Sequence, residues 1–272
     1  MLGPFVDASW WQAHRDEVVT ADVRWYLDGR SGREAFEGGH LPGAVFVDLE
    51  HCLAGPSSTQ AGRHPLPSPG TFSSCMNKIG ISSSDTVVAY DDQGGVIAAR
   101  LVWMLRALGS NAALLDGGMG SWVGEMEEGP GLPRRPGNFP SRPWPPDLLV
   151  GPEDLGDLSV VLIDARDPPR YRGEYEPVDP KAGHIPGAVN LPCRQNIDAE
   201  GMILEPTELR RRFEALGVTD GAQVVSYCGS GVTACHNLLA LEAAGFAAGR
   251  LYPGSWSQYS ASGAPVETAV PN

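Results

Sequence analysis

A cysteine closes the apolar run Val224-Val225-Ser226-Tyr227-Cys228, and Gly229, Ser230, Gly231, Val232 and Thr233 follow it before a helical stretch that begins near Ala234. Two glycines allow backbone conformations barred to other residues, so successive N–H groups can turn inward as a nest. The start of a helix adds unpaired N–H groups and the positive end of its dipole. Such a cradle lowers a thiol pKa and steadies an anion held on it or beside it. These types at this spacing suit a thiolate nucleophile, and they suit the persulfide formed when a thiolate takes a sulfane sulfur. Ser230 and Thr233 supply hydroxyl donors to the same cup.

The alternative is a buried strand-end cysteine beside an ordinary glycine turn. A second copy of the pattern within the chain argues against it. Gly39 to Leu49 (GHLPGAVFVDL) matches Gly183 to Cys193 (GHIPGAVNLPC), and DTVVAYDDQGG matches AQVVSYCGSGV, so that Tyr90 aligns with Tyr227. LLDGGMGSW likewise matches RLYPGSW, aligning Trp122 with Trp256. Upstream, VRWYLDGR with Asp28 and Arg30 pairs with VVLIDAR carrying Asp164 and Arg166, and all the matches are offset by roughly 135 to 145 residues. Where the second copy has Cys228, the first has Asp91 or Asp92. A turn alone would not need a cysteine in one copy only.

From the strand-end acid to the repeated histidine there are 12 residues in the first copy (Asp28 to His40) and 20 in the second (Asp164 to His184). The added material, RDPPRYRGEYEPVDPKAG, places Arg170 and Arg172 in a loop after a strand, on the rim expected to hold Cys228. Their planar guanidinium forks can grip a carboxylate or another oxyanion. The competing reading is a solvated loop in which they pair with Glu174 and Glu176. His40 and His184 occur in both copies and are read as structural turns outside the site, with Asp164 and Arg166 supporting the loop from below. Cys235 reads as a small buried hydrophobe. His236 beside it has no CxxC or HxxxH spacing, so no metal is expected.

The elements that must position these residues follow from periodicity. TVVAYDD reads as a buried strand and VIAARLVWMLRALG as a helix with a glycine stop, and VVLIDAR, QVVSYC and ACHNLLALEAAG repeat the logic. Strand then helix, repeated, implies an α/β fold with a mainly parallel sheet in each copy and helices on both faces. Ligands in such sheets sit beyond the carboxyl ends of the strands, where Cys228 falls. The expected organisation is a non-catalytic domain over 1–126, a linker over 127–148 and a catalytic domain over 149–272. The stretch Glu125 to Leu149 carries seven prolines, and Phe139 and Trp144 could dock it.

Bulk properties narrow the partners. The formal net charge of −13 argues against nucleic acid, whose phosphates need a basic surface, without forbidding a small anionic substrate. No run of eighteen apolar residues suggests a membrane span, and the opening lacks a basic start followed by an apolar core. The five cysteines are odd in number and widely spread, which predicts free thiols in a reducing cytoplasm.

The tandem halves, the GHIPGAVN turn, the CGSGVTACH loop and the closing GSW resemble the two-domain rhodanese family of sulfurtransferases along nearly the whole chain. The resemblance implies two rhodanese-type domains, a persulfide on Cys228, and no metal or organic cofactor. It also implies small-molecule sulfur donors and acceptors, with a thioredoxin-like protein among the possible acceptors. The neutral loop after Cys228 looks like that of the 3-mercaptopyruvate sulfurtransferases rather than the thiosulfate enzymes. In that group an arginine matching Arg170 holds the donor carboxylate. A second is expected nine residues on, where this chain has Asp179, with Arg172 or Lys181 as substitutes. The group also uses a loop serine with a histidine and an acid from the first domain. These match Ser230, His64 in GRHPLPSP and Glu50 in VDLEHC. A Cys-based phosphatase would need an arginine at position 234, where this chain has alanine, and a non-catalytic interaction or sulfur-carrier module would not need the intact loop.

Overall fold

β-Branched residues concentrated in short runs, each followed by a helical segment, give two parallel sheets in the computed structural model, which describes residues 2–156 and 160–268. The first sheet holds β1 (Phe5–Val6), β2 (Val19–Asp22), β3 (Val45–Phe46), β4 (Thr86–Tyr90) and β5 (Asn111–Leu115) in the order β1-β5-β4-β2-β3. The second holds β6 (Val160–Asp164), β7 (Val189–Asn190), β8 (Gln223–Tyr227) and β9 (Arg250–Leu251) in the order β7-β6-β8-β9. Helices α1 (Ala8–His14), α2 (Gly32–Glu37), α3 (Pro69–Ile79) and α4 (Ala99–Ala107) accompany the first sheet. The second has α5 (Pro168–Arg172), α6 (Pro206–Ala215), α7 (Ala234–Ala243) and α8 (Ser255–Tyr259). No helix among the described residues is long and apolar enough to cross a membrane.

The helix following each central strand is the most deeply set. All residues of α4 from Ala99 to Leu105, and of α7 from Ala234 to Leu241, are buried. Gly109 ends the first by taking a φ of 82°, a left-handed value that glycine adopts without a Cβ clash. In each sheet the central strand ends with a tyrosine beside an acid, Tyr90 next to Asp22 and Tyr227 next to Asp164. The tyrosine hydroxyl accepts the N–H of Leu41 in one copy and of Ile185 in the other.

This register corrects the alignment of the copies. The counterpart of Asp164 and Arg166 is Asp22 with Arg24, not Asp28 with Arg30. Arg24 and Arg166 each bind the acid two residues earlier, at 2.7 and 2.6 Å, and each donates to a glycine carbonyl, Gly39 or Gly183. Asp28 and Arg30 form an exposed pair instead. The motif Asp-x-Arg occurs twice within nine residues, and only strand pairing distinguishes the two. The spacing to the histidine is therefore 18 residues in the first copy against 20 in the second, so no long insertion brings Arg170. His40 and His184 are structural as expected: each is buried, stacks on an aromatic ring and has Nδ1 at 2.9 or 2.8 Å from a backbone carbonyl.

The chain forms two compact units, and their boundaries do not follow the sequence halves. Unit 1 comprises 1–55, 67–144 and 197–203; unit 2 comprises 56–66, 145–196 and 204–272. The proline-rich stretch up to Trp144 lies along unit 1. Phe139 is buried there against Phe72, and the Trp144 indole N–H donates to the Pro67 carbonyl. The cysteines also depart from expectation. Cys52 and Cys75 are joined, with Cα atoms 5.5 Å apart, and Cys193, Cys228 and Cys235 are buried thiols outside that disulfide.

Candidate active site

Unit 2 assembles its site at the carboxyl end of β8. Cys228 is the first residue past the strand and is 2 % exposed. Its backbone is fixed at both ends: the N–H donates to Ser255 Oγ at 3.2 Å, and the carbonyl accepts from Trp256 N–H at 3.0 Å. Ser255 holds a φ of 52°, the only positive value at a non-glycine residue among those described, so the surroundings must over-determine it. The loop then turns back on the thiol. Gly231, at φ 80°, donates its N–H to Cys228 Sγ at 3.1 Å. A Cβ at Gly231 would stand 2.6 Å from the Pro253 carbonyl oxygen, so glycine is required there. Val232 is buried, and α7 starts directly after Thr233, with the N–H groups of Cys235 and His236 donating to the Val232 and Thr233 carbonyls.

The segment 56–66 supplies the other wall. Nδ1 of His64 lies 2.8 Å from Ser230 Oγ, and both residues are buried. The preceding Arg63 donates its backbone N–H to Ser257 Oγ, while Ser257 N–H donates to the Gly229 carbonyl, tying this segment to the loop through one serine. Gly62 is set so close to Gly254 that a Cβ there would lie 2.5 Å from its carbonyl oxygen.

Arg170, on α5, reaches the same loop. A Cβ at Gly229 would lie 3.5 and 3.6 Å from the two Nη atoms of Arg170, and 3.1 Å from Nη2 of Arg63. Arg170 is held by Glu176 at 2.6 Å, and Glu176 also binds Arg166 at 3.2 Å. Burial opposes the Arg166 charge, yet the Asp164 carboxylate outweighs it and the guanidinium pKa is raised. Arg172 is not in this cluster. It pairs with Glu174 at 2.7 Å on the surface, as the solvated-loop reading had it, and takes no part in the site described here. Lys181 contributes its carbonyl, which accepts the Trp256 indole N–H. Glu50 belongs to unit 1, where it accepts the Trp25 indole N–H at 2.9 Å.

Cys193 adjoins the loop and shows what a non-nucleophilic thiol looks like there. Complete burial pushes its pKa up to about 12, against the pull of Arg194 and a hydrogen bond with Thr233. Cys235 donates its S–H to the Gly231 carbonyl at 3.4 Å, helping to set the turn. Glu176 binds Arg170 as the solvated-loop reading had it, whereas sequence reasoning missed Arg63, Ser255 and Ser257. Each acts through a contact with a distant part of the chain, and only Arg63, as the neighbour of His64, had any local signal.

Comparison with known proteins agrees with this architecture. The rhodanese-like domain matches residues 8–125 and again 152–262. A Pseudomonas aeruginosa protein with the provisional name 3-mercaptopyruvate sulfurtransferase is 42 % identical over 254 residues, covering 89 % of each chain. A Mycobacterium tuberculosis protein provisionally named thiosulfate sulfurtransferase SseB is 41 % identical over 90 % of this chain and 88 % of its own. The crystal structure of SseA from Escherichia coli, described as a 3-mercaptopyruvate sulfotransferase, superimposes with a TM-score of 0.82 at 32 % identity, covering 94 % of this chain and all of that one. The chain belongs to the rhodanese family, as a two-domain sulfurtransferase that moves sulfur between small molecules.

Proposed function

We propose that this enzyme takes sulfane sulfur from 3-mercaptopyruvate onto Cys228 and passes it to a nucleophilic acceptor. The observation that carries this reading is the convergence of a buried cysteine, a turned-back amide and the Arg170 guanidinium on one neutral loop. The Cys228 thiolate attacks the donor sulfur and the donor C–S bond breaks. Its electron pair passes to the carbon beside the keto group, and the resulting enolate takes a proton to become pyruvate. Arg170 holds the donor carboxylate, and loop amides such as that of Gly231 stabilise the persulfide anion. Ser230, with His64 behind it, relays the proton, and Glu50 is the acid assigned to that relay by family resemblance. In the second half-reaction the outer persulfide sulfur bonds to the acceptor and the S–S bond breaks, returning the thiolate. With cyanide the product is thiocyanate, and a thioredoxin-like protein is the proposed thiol acceptor. A reducing compartment such as the cytoplasm suits a chemistry that starts from a free thiolate.

The experiment is mass spectrometry after donor treatment, with kcat/KM for 3-mercaptopyruvate and thiosulfate measured side by side. One sulfur atom, about 32 Da, should appear on Cys228. Cys228→Ser should show neither adduct nor turnover, and residual transfer by that variant rules the scheme out. Thiosulfate is the second candidate donor, favoured by the SseB likeness. A strong preference for it would require rereading the arginines as a sulfonate clamp.

A further inference from the structure

Asp179 stands where the resemblance expects a second carboxylate-binding arginine, which leaves Arg170 as the one guanidinium that the resemblance assigns to the donor. Unit 2 contains another. Arg63 and Arg170 both lie over Gly229, with Nη atoms 3.1 to 3.6 Å from the position its Cβ would take. A side chain at that residue would press on the Arg63 guanidinium and touch that of Arg170. Asp179 joins the two, accepting from Arg63 Nη1 at 2.6 Å and from Arg170 Nη2 at 3.4 Å. It is 4 % exposed, so burial pushes its carboxyl pKa up, with Arg63 opposing that rise.

The way Arg63 is held matters more than its presence. Asp179 engages Nη1, on one edge of the fork. The opposite edge, Nε and Nη2, is the edge that grips a carboxylate with two parallel bonds. Nε is buried without a hydrogen-bond partner among the described residues, which is costly unless a ligand supplies one. The backbone of Arg63 is pinned to Ser257 Oγ, so the side chain starts from a fixed point.

We infer that Arg63 is the second donor-binding arginine of this enzyme, with Asp179 as the residue that positions it. The cation of this pair comes from the 56–66 segment and the anion from the loop after α5. The ligand class is a small 2-oxo carboxylate, whose carboxylate would lie between Arg63 and Arg170 over Gly229 while its sulfur meets Cys228. The inference rests on the mercaptopyruvate reading above.

Steady-state kinetics with 3-mercaptopyruvate and cyanide test it, using wild type, Arg63→Gln, Asp179→Arg and the reversed pair Arg63→Asp with Asp179→Arg. Arg63→Gln should raise KM about 10- to 100-fold with kcat within about threefold, the loss of one charge-assisted fork. Asp179→Arg alone should impair donor use, because two cations then meet. The reversed pair should recover KM to within about fivefold of wild type, a coupling that independent sites would not show. Melting curves identify variants that fail to fold, and in that event Arg63→Lys, which keeps the charge and loses the fork, serves with an expected KM rise of about 3- to 10-fold. A KM within twofold of wild type for Arg63→Gln or Arg63→Lys overturns the assignment. A wild-type enzyme inactive on 3-mercaptopyruvate overturns the donor reading, and this inference with it.

Discussion

The hydroxyl of Ser230 lies 2.8 Å from His64 Nδ1 and two residues from the cysteine whose chemistry it is proposed to serve. A buried imidazole and a buried hydroxyl in contact form a unit, so their effects should not add. Ser230→Ala and His64→Ala should each lower kcat/KM by about 10²-fold, and the double variant should be little worse than either single. Additive losses, or no loss from His64→Ala with either donor, would exclude the relay. The resemblance pointed to this pair, but the residues themselves did not: 166 positions separate them, and no periodicity links a His-Pro segment to a glycine loop. The place of Cys228 was legible because its setting is written locally, in two glycines, two hydroxyls and a following helix. Arg63 was not, because its meaning lies in Asp179, 116 residues away.

At the scale of elements, the two strand-to-helix loops solve one problem in two ways. Asp91 follows Tyr90 as Cys228 follows Tyr227, and its buried carboxylate accepts four backbone N–H groups, from Gln93, Gly95, Ile97 and Ala98. The cradle proposed to hold an anion in the second copy is filled in the first by the chain's own side chain. Burial raises the Asp91 pKa while those four donors oppose the rise. Asn at this position presents one acceptor oxygen and turns an NH₂ group toward donors, so Asp91→Asn should destabilise unit 1 by about 2–4 kcal/mol, read from chemical denaturation. A change below about 0.5 kcal/mol would mean the carboxylate is not what holds the loop closed. The sequence showed that an acid replaced the cysteine. It could not say which of Asp91 and Asp92 did so; Asp92 binds the Tyr26 hydroxyl at 2.6 Å. The parallel strand-helix logic was read correctly for both copies, whereas Asp28 was taken for Asp22 because a strand end cannot be told from a nearby turn without its neighbour.

For the molecule as a whole, buried acids set the alkaline limit. The Cys193 thiol, pushed up to about 12 by burial, and the buried Tyr227 phenol, pushed up by burial and by Asp164, stay protonated in the fold. In the unfolded chain they ionise near their ordinary values of about 8.5 and 10, so the unfolded state then binds fewer protons than the native one. Stability should therefore be unaffected by these groups below about pH 8 and fall as pH rises from there toward about 12. Denaturant midpoints at pH 8, 9.5 and 11 measure the slope, and Cys193→Ala should flatten its first part. A midpoint constant across that range would show that neither group stays protonated.

The assignment of residues 56–66 to the second unit also sets a schedule. Arg63 leaves the ribosome 194 residues before Ser257, the partner of its backbone N–H. At about 5–20 residues per second that interval is roughly 10 to 40 s. For that time the stretch bearing Arg63 and His64 must wait as a solvated loop, short of aromatic residues and rich in Pro, Gly and Ser, until the last tenth of the chain arrives to receive it.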